Sequence, residues 1–370
     1  MRLDNSSTAV IAGIGACLPD HILDNAAVIA RGALHTDDAW IRDRTGIVHR
    51  RHAGPGTSTG DLAVGAGRAA LSSAGNSSPD MVLLATSTPD HPLPATAPEV
   101  AHRLALGTVP AMDLSAVCSG FLYALATATA LVRGGACSAP LVIAADTYTT
   151  IVDPRDRESA PIFGDGAGAV LLRPGARDEP GAVLATHLGA DGGGRDLITV
   201  AGGGSRHPHH LPQLAPDAYH FRMRGRTVYA HAVRRMTESA HAVLRQVDWA
   251  PQTIRAFIGH QANQRILDSV GDRLGIAPAC RFGNIRELGN TAAASIPLVL
   301  ADTAVHAAVV PGARTLLTAF GGGLTWASVA LNWPAAVPRS EAPPISPDTA
   351  SLPIPNPSRR NPWTTSTSTS

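Results

Sequence analysis

Two segments decide how this chain folds: Phe163–Leu172, FGDGAGAVLL, and Phe320–Leu331, FGGGLTWASVAL. Each is a glycine-rich turn that runs into an apolar, strand-like stretch, and the two begin 157 residues apart. A plan repeated at that distance points to a duplicated domain, although glycine turns before strands are common and the echo is faint. Around the two segments, short β-like runs alternate with alanine-rich helical ones. Ala9–Ile14, Met81–Ala85, Ala111–Leu114, Leu141–Ala145, Ala256–Ile258 and Thr315–Ala319 read as strands. That alternation predicts an α/β protein with helix-covered sheets. Residues 1–180 form the expected first half and 181–333 the second. Residues 334–370 are rich in Pro, Ser and Thr and carry no periodicity that could bury a face, so they read as a disordered tail.

Composition narrows the chemistry. The chain has 370 residues, 44% hydrophobic and 16% charged, with a formal net charge of +1. A large core is affordable, and the basic excess of a nucleic-acid binder is missing. Every basic side chain other than His is Arg. Without Lys there is no Schiff base for pyridoxal phosphate or an aldolase, and no P-loop lysine. The four cysteines, Cys17, Cys118, Cys137 and Cys280, are too few and too scattered for a disulfide framework or a zinc site, which suits a reducing, cytoplasmic compartment. The start MRLDNSSTAV does not read as a signal peptide. The longest uncharged stretch, Leu114–Val132, holds Ser, Thr, Gly and Tyr and reads as a buried core helix rather than a membrane span.

Three residues could carry catalysis. Cys118, in DLSAVCSGFLYAL, follows a short strand and opens an apolar helix. A thiol at a helix N-terminus is expected to have a lowered pKa; the plainer alternative is a small buried apolar residue. His260, in AFIGHQANQRIL, also stands at a strand end, where α/β proteins build sites, yet it is one of 15 histidines. Asn290, in ELGNTAAASIPLVL, reads equally well as the N-cap of the helix after it. The order Cys, His, Asn fits a papain-like hydrolase or a thioester-condensing enzyme. The cysteine-protease signature around the nucleophile is absent, which favours the second.

Seven motifs, in order, then carry a resemblance over nearly all of residues 8–333: WIRDRTGI (40–47), VCSGFLYAL (117–125), DPRDR (153–157), FGDGAGAVLL (163–172), GHQANQRI (259–266), LGNTAAASIP (288–297) and FGGGLTWAS (320–328). The chain resembles the β-ketoacyl-acyl-carrier-protein synthase III family, the initiating ketosynthases of fatty-acid and aromatic polyketide synthesis. The resemblance implies a thiolase-like fold, a duplicated five-layer αβαβα, and an acyltransferase that condenses acyl-CoA with malonyl-acyl carrier protein under decarboxylation. It implies that Cys118 is the acyl-accepting nucleophile, that His260 and Asn290 donate hydrogen bonds to the malonyl thioester carbonyl, and that the N–H groups of Cys118 and Gly322 form an oxyanion hole. It further implies that Trp40, Arg44 and Arg157 hold coenzyme A, and that Asn263 and Arg265 line the pantetheine channel and the carrier-protein surface. Half-buried packing for Trp40 and solvated surface for the arginines are the plain alternatives. A homodimer, no resident cofactor and no metal complete the expectation, with coenzyme A thioesters as substrates.

Several positions depart from that pattern. Leu93 stands where a Phe that closes the partner's acyl pocket is common, so a primer bulkier than acetyl is expected. Ala230 and Asp272 replace basic docking positions, leaving Arg222, Arg224, Arg226, Arg234, Arg265 and Arg273 to meet the carrier, and Ala319 replaces a Gly. These changes lean towards secondary metabolism. Two competitors remain: a condensation-free acyltransferase of the same fold, and a non-catalytic partner subunit. Members of the first kind often carry Asp in place of Asn, and subunits of the second lose the nucleophile; retention of Cys118, His260 and Asn290 speaks against both.

Overall fold

The computed structural model describes residues 7–208, 214–307 and 309–344. The strands that matter are β1 (Ser7–Cys17), β2 (Met81–Ala85), β3 (Ala111–Leu114), β4 (Pro140–Asp146), β5 (Gly166–Ala176), β6 (Val183–Ala190), β7 (Ala256–Gly259), β8 (Arg281–Phe282), β9 (Arg314–Gly321), β10 (Thr325–Asn332) and β11 (Arg339–Glu341). The helices that position the site are α1 (Asp38–Thr45), α2 (Thr59–Ser73), α3 (Gly120–Arg133), α4 (Gly225–Gln246), α5 (Gln264–Leu274) and α6 (Ser295–His306).

The first sheet runs β11-β1-β5-β4-β2-β3 and the second β8-β7-β9-β10-β6. Apart from the added edge strand β11, the two have one plan. In the first, β1 pairs antiparallel with β5, β5 antiparallel with β4, and β4 and β3 lie parallel to β2. In the second, β6 pairs antiparallel with β10, β10 antiparallel with β9, and β9 and β8 lie parallel to β7. The glycine turns that opened the sequence reading are the entries to β5 and the hairpin between β9 and β10, the equivalent positions of the two copies.

Layering follows from strands that are apolar on both faces. In β2, Val82 and Leu84 join the cluster under α2, while Leu83 and Ala85 face the cluster around α3 and α6. The helices α3 and α6 touch strands of both sheets and form the central layer; α2 covers the first sheet and α4 the second, with α5 beside it. The order is therefore αβαβα. Glycine sets how near α2 comes: a Cβ on Gly15 of β1 would overlap the carbonyl of Ala66.

The reading of 334–370 as unstructured is corrected for its first part. Arg339–Glu341 pairs parallel with Gly15–Cys17 on the sheet edge, and Ser73 Oγ donates to Val337 O at 2.6 Å. An exposed edge of unpaired backbone groups can recruit a strand with no apolar pattern of its own, which is why composition did not reveal it. Residues 345–370 lie outside the described residues. Among the described residues, no helix is long and apolar enough to cross a membrane, and all of the core helix α3 but its last residue falls within Leu114–Val132.

Candidate active site

The nucleophile candidate sits on a tight 3-10 turn, Val117–Ser119, between β3 and α3. Val117 has φ 48°, a left-handed conformation that a β-branched residue rarely adopts. The turn is braced from the second half of the chain. Ser119 Oγ lies 2.8 Å from both Ala116 O and Thr325 Oγ1, and Thr325 Oγ1 lies 3.0 Å from both Ala116 O and Gly322 O. A Cβ on Gly321 would stand 2.8 Å from the Cys118 nitrogen, so only glycine permits this approach. Gly322, the residue singled out in the sequence, follows directly at the head of the β9–β10 turn.

Cys118 is half-buried. Its expected low pKa is not found: burial pushes the thiol well above its ordinary value, and the charge of Asp146 adds to this. Magnitudes explain the correction. A helix N-terminus contributes about 0.3–1 kcal/mol, up to about 2 in favourable sites; desolvation shifts fully buried groups by up to about 3–5 pKa units, and a fraction of that outweighs the dipole at a half-buried thiol. The desolvating wall is aromatic. Tyr148 and Phe163 stack at 4.7 Å between centroids, Phe221 meets them edge-on at 5.7 and 4.9 Å, and Cys118 packs against this cluster.

His260 follows β7 and is 2% exposed; its N–H donates to Thr318 O at 2.8 Å, which extends the strand pairing. Burial lowers its pKa to about 3, so the ring is neutral and carries one proton. A hydroxyl neighbours one of its two nitrogens. Ser295 Oγ, at the start of α6, accepts from Gln261 N at 3.3 Å and lies 2.7 Å from His260 Nδ1. The direction of this bond depends on the tautomer, because Ser295 Oγ keeps a second lone pair as well as its proton; when the hydroxyl donates to Nδ1, the ring proton sits on Nε2. Gln261, fully buried, fixes the same loop: Nε2 donates to Gly259 O at 2.6 Å, and Oε1 accepts from the nitrogens of Asn284 and Ile285 at 3.1 and 3.2 Å.

Asn290 is 5% exposed and forms an isolated parallel bridge with Phe163. Its capping is real but local. Oδ1 accepts from Ala292 N at 2.9 Å, closing the short turn Ala292–Ala294 rather than α6 itself. With Oδ1 so used, the side chain offers its Nδ2–H groups to the cavity it lines.

Cys118, His260 and Asn290, distant in sequence and drawn from both halves, line one small cavity of about 40 Å³ with Phe163, Ile198, Phe221 and Phe320. A larger cavity of about 490 Å³ shares Met223, Val228, Ala262, Ile266 and Asn290 with it and leads outward. All five coenzyme A and carrier candidates, Trp40, Arg44, Arg157, Asn263 and Arg265, line this outer cavity. Arg157 and Arg44 lie 4.4 and 5.5 Å from the Trp40 ring centroid. Asn263 is also structural: Nδ2 donates to Arg44 O at 2.8 Å and Oδ1 caps α5 through Arg265 N at 2.9 Å, joining α1 to α5. Leu93 is 86% exposed and lines neither cavity. Cys17 and Cys137 are buried, and burial raises both thiols. Among the described residues no His/Cys/Asp/Glu group could hold a metal ion.

Sequence reading missed Ser295, Gln261, Gly321, Tyr148 and Asp146. Ser295 gave a signal as the one hydroxyl in the apolar run AAASIPLVL, and Gly321 and Gln261 lie inside quoted motifs; Tyr148 and Asp146 gave none.

Comparison with known proteins shows the family. The family description for 3-oxoacyl-[acyl-carrier-protein] synthase III matches residues 112–192, and its C-terminal counterpart matches 244–333. The chain is 53% identical over 330 residues to β-ketoacyl-[acyl-carrier-protein] synthase III 2 of Streptomyces coelicolor, covering 89% of this chain and 95% of the relative. The crystal structure of 3-oxoacyl-(acyl carrier protein) synthase III from Pseudomonas aeruginosa PAO1 superposes with TM-score 0.82 at 44% identity, over 90% of this chain and 100% of that one. The priming β-ketosynthase from the R1128 polyketide biosynthetic pathway superposes with TM-score 0.82 at 30% identity, over 90% of this chain and 98% of that one. The duplicated fold, the three convergent side chains and these likenesses lead to one conclusion: the chain belongs to the β-ketoacyl-[acyl-carrier-protein] synthase III family of acyl-transferring condensing enzymes.

Proposed function

We propose that this enzyme takes an acyl group from acyl-CoA onto Cys118 and condenses it with malonyl-acyl carrier protein, releasing carbon dioxide and β-ketoacyl-carrier protein. The observation that carries the proposal is the meeting of Cys118, His260 and Asn290 in one small cavity that adjoins a larger one lined by Trp40, Arg44, Arg157, Asn263 and Arg265. In loading, the Cys118 sulfur forms a bond to the acyl carbon as the carbon–sulfur bond to coenzyme A breaks, and the thiol proton ends on the departing sulfur. The resting thiol, held protonated by burial, suits an exchange that proceeds only with substrate in place. Trp40 offers a stacking face to the nucleotide, and Arg44 and Arg157 offer charge to its phosphates.

In condensation the malonyl carboxylate leaves as carbon dioxide and its bonding electrons enter the thioester as an enolate. His260 Nε2–H and Asn290 Nδ2–H are the two donors to the enolate oxygen, and each such donor is worth on the order of a hundredfold in rate. The enolate carbon then attacks the acyl–Cys118 carbonyl. The N–H groups of Cys118 and Gly322 receive the tetrahedral oxyanion, which collapses and expels the Cys118 thiolate, to be reprotonated. Asn290 cannot ionise, and the neutral His260 bears its proton towards the substrate; both features favour condensation over a base-driven acyl transfer to a hydroxyl.

The cavity beside Cys118 favours a short primer, because Phe163 and Phe221, with Tyr148 stacked on Phe163, take up the space a longer chain would need. This reverses the expectation drawn from Leu93. That residue stands clear of its own protomer's cavities, as a contributor to a partner's pocket in a homodimer would. A cytoplasmic homodimer, divided near residue 180 into two thiolase-like halves, is the assembly that goes with this reading. Intact-protein mass spectrometry with acetyl-, isobutyryl- and hexanoyl-CoA, with and without malonyl-carrier protein, tests it. Loading on Cys118 followed by carbon dioxide release is expected; loading with transfer to an acceptor and no carbon dioxide would overturn it.

A further inference from the structure

The duplicated fold repeats the nucleophile's turn, and the repeat is not empty. Val117–Ser119 leads into α3, and Ala292–Ala294 leads into α6. Both turns open on a non-glycine residue in the left-handed region, Val117 with φ 48° and Ala292 with φ 48°. The shared plan of the two sheets makes Ala293 the twin of Cys118. The strand ends carry the symmetry further. The end of β9, Gly321, lies against the nitrogen of Cys118, and the end of β4, Asp146, lies against the nitrogen of Ala293. At the first turn the strand end is a glycine with no side chain. At the second it is a carboxylate, Asp146 Oδ2, which accepts from Ala293 N at 3.0 Å.

We propose that Asp146 is a positioning residue for decarboxylation: its carboxylate occupies the second half's counterpart of the nucleophile N–H and, through the turn Ala292–Ala294, sets the position of Asn290. The connection is short. Asp146 Oδ1 accepts from Ser87 N at 2.7 Å, Thr86 Oγ1 at 3.2 Å and Thr88 Oγ1 at 3.3 Å, all in the loop after β2 of the first half. Oδ2 reaches across to Ala293 N of the second half. The next nitrogen back, Ala292 N, donates to Asn290 Oδ1 at 2.9 Å and so turns Nδ2 to the cavity. One three-residue turn, opened by Ala292 at positive φ, thus carries both hydrogen bonds. A residue held at positive φ needs outside support, and Asp146 supplies it. The carboxyl is fully buried and meets these four neutral donors, and burial raises its pKa to about 7. Retaining so poorly solvated an acid in the central layer fits a demand for two acceptors aimed in opposite directions, which no amide or hydroxyl of similar size meets.

This inference rests on Asn290 acting as an enolate donor. The test is a double-mutant cycle on the full chain, with wild type, Asp146→Asn, Asn290→Ala and the pair. Two readouts are taken: acyl loading of Cys118 by intact mass, and carbon dioxide release from malonyl-carrier protein. In Asp146→Asn one of the two opposed N–H groups faces an NH₂ instead of an oxygen. Carbon dioxide release is expected to fall about tenfold while loading does not fall, because losing the Asp146 charge that adds to the raised Cys118 thiol favours the thiolate. Added to Asn290→Ala, the same substitution should cost less than about threefold more, because the two act through one turn. Unchanged carbon dioxide release, an equal fall in loading, or losses that multiply in the double variant would overturn the proposal. If wild type loads but releases no carbon dioxide, the functional reading fails and takes the proposal with it. Should Asp146→Asn not fold, Thr86→Val, which removes one donor from the same carboxylate, is read on both axes. A selective fall in carbon dioxide release supports the role, and no fall or a parallel fall refutes it.

Discussion

Ser295→Ala isolates the tautomer of His260 from its presence. Ser295 Oγ lies 2.7 Å from His260 Nδ1 and 3.3 Å from Gln261 N, and the residue is 1% exposed. Alanine removes one oxygen, leaves the imidazole in place and abolishes the bond to Nδ1, which in the proposed mechanism holds the proton on Nε2. A typical hydrogen bond contributes about 0.5–1.5 kcal/mol net. If all of it serves to favour the Nε2–H form, carbon dioxide release falls by about 2- to 13-fold, at 1.36 kcal/mol for each factor of ten. Removing a donor outright, as in His260→Ala or Asn290→Ala, costs on the order of 100-fold or more. The expected order is therefore wild type, then Ser295→Ala, then the two donor deletions, with Cys118 loading preserved in Ser295→Ala. The assay is carbon dioxide release from malonyl-carrier protein in single turnover, beside intact-mass loading. The ring nitrogen chemical shifts of His260 provide a second readout, since wild type should show a protonated Nε2 and the variant a mixture. Full carbon dioxide release in Ser295→Ala, or a wild-type spectrum with the proton on Nδ1, would refute the reasoning.

The remaining expectations concern the nucleophile, its turn, the second donor and the primer. The raised Cys118 thiol means that thiolate is scarce at neutral pH and grows as pH rises, so iodoacetamide labelling of Cys118 should still climb about tenfold per pH unit at pH 9; a plateau reached by pH 7 would contradict the burial argument. Gly321→Ala places a Cβ about where the Cys118 nitrogen needs room, and loading, measured by intact mass, should fall at least about tenfold; unimpaired loading would show that the turn gives way freely. Asn290→Ala should keep loading and lose on the order of 100-fold in carbon dioxide release; if only transfer to an acceptor fails, the acyltransferase reading wins. Tyr148→Leu loosens the aromatic wall, and a competition among acetyl-, isobutyryl- and hexanoyl-CoA should move from acetyl towards the longer groups by about 10- to 200-fold per methylene at most; an unchanged ranking would show that Tyr148 does not limit the pocket.

Local chemistry in the chain was enough to determine the strands, the α/β class and the duplication, because each rests on a short pattern. Apolar runs of four or five residues become strands wherever helices cover both faces, and Met81–Ala85 and Ala111–Leu114 appear at the expected bounds. Cys118, His260 and Asn290 were legible for a related reason: each stands where a strand hands over to a turn or helix, and their motifs occur in order. What the pattern could not carry is the environment of each group. Whether Cys118 is activated or held protonated depends on Tyr148, Phe163, Phe221 and Asp146, which reach it only through packing of the central layer. A helix-terminus rule sees the local dipole but not the desolvation that outweighs it. The same holds for β11, recruited by an open sheet edge. It holds too for Ser295 and Asp146, whose partners are 35 and 147 residues away in sequence. Hydrogen-bond direction and burial belong to pairs of residues, and only the tertiary structure decides which residues become pairs.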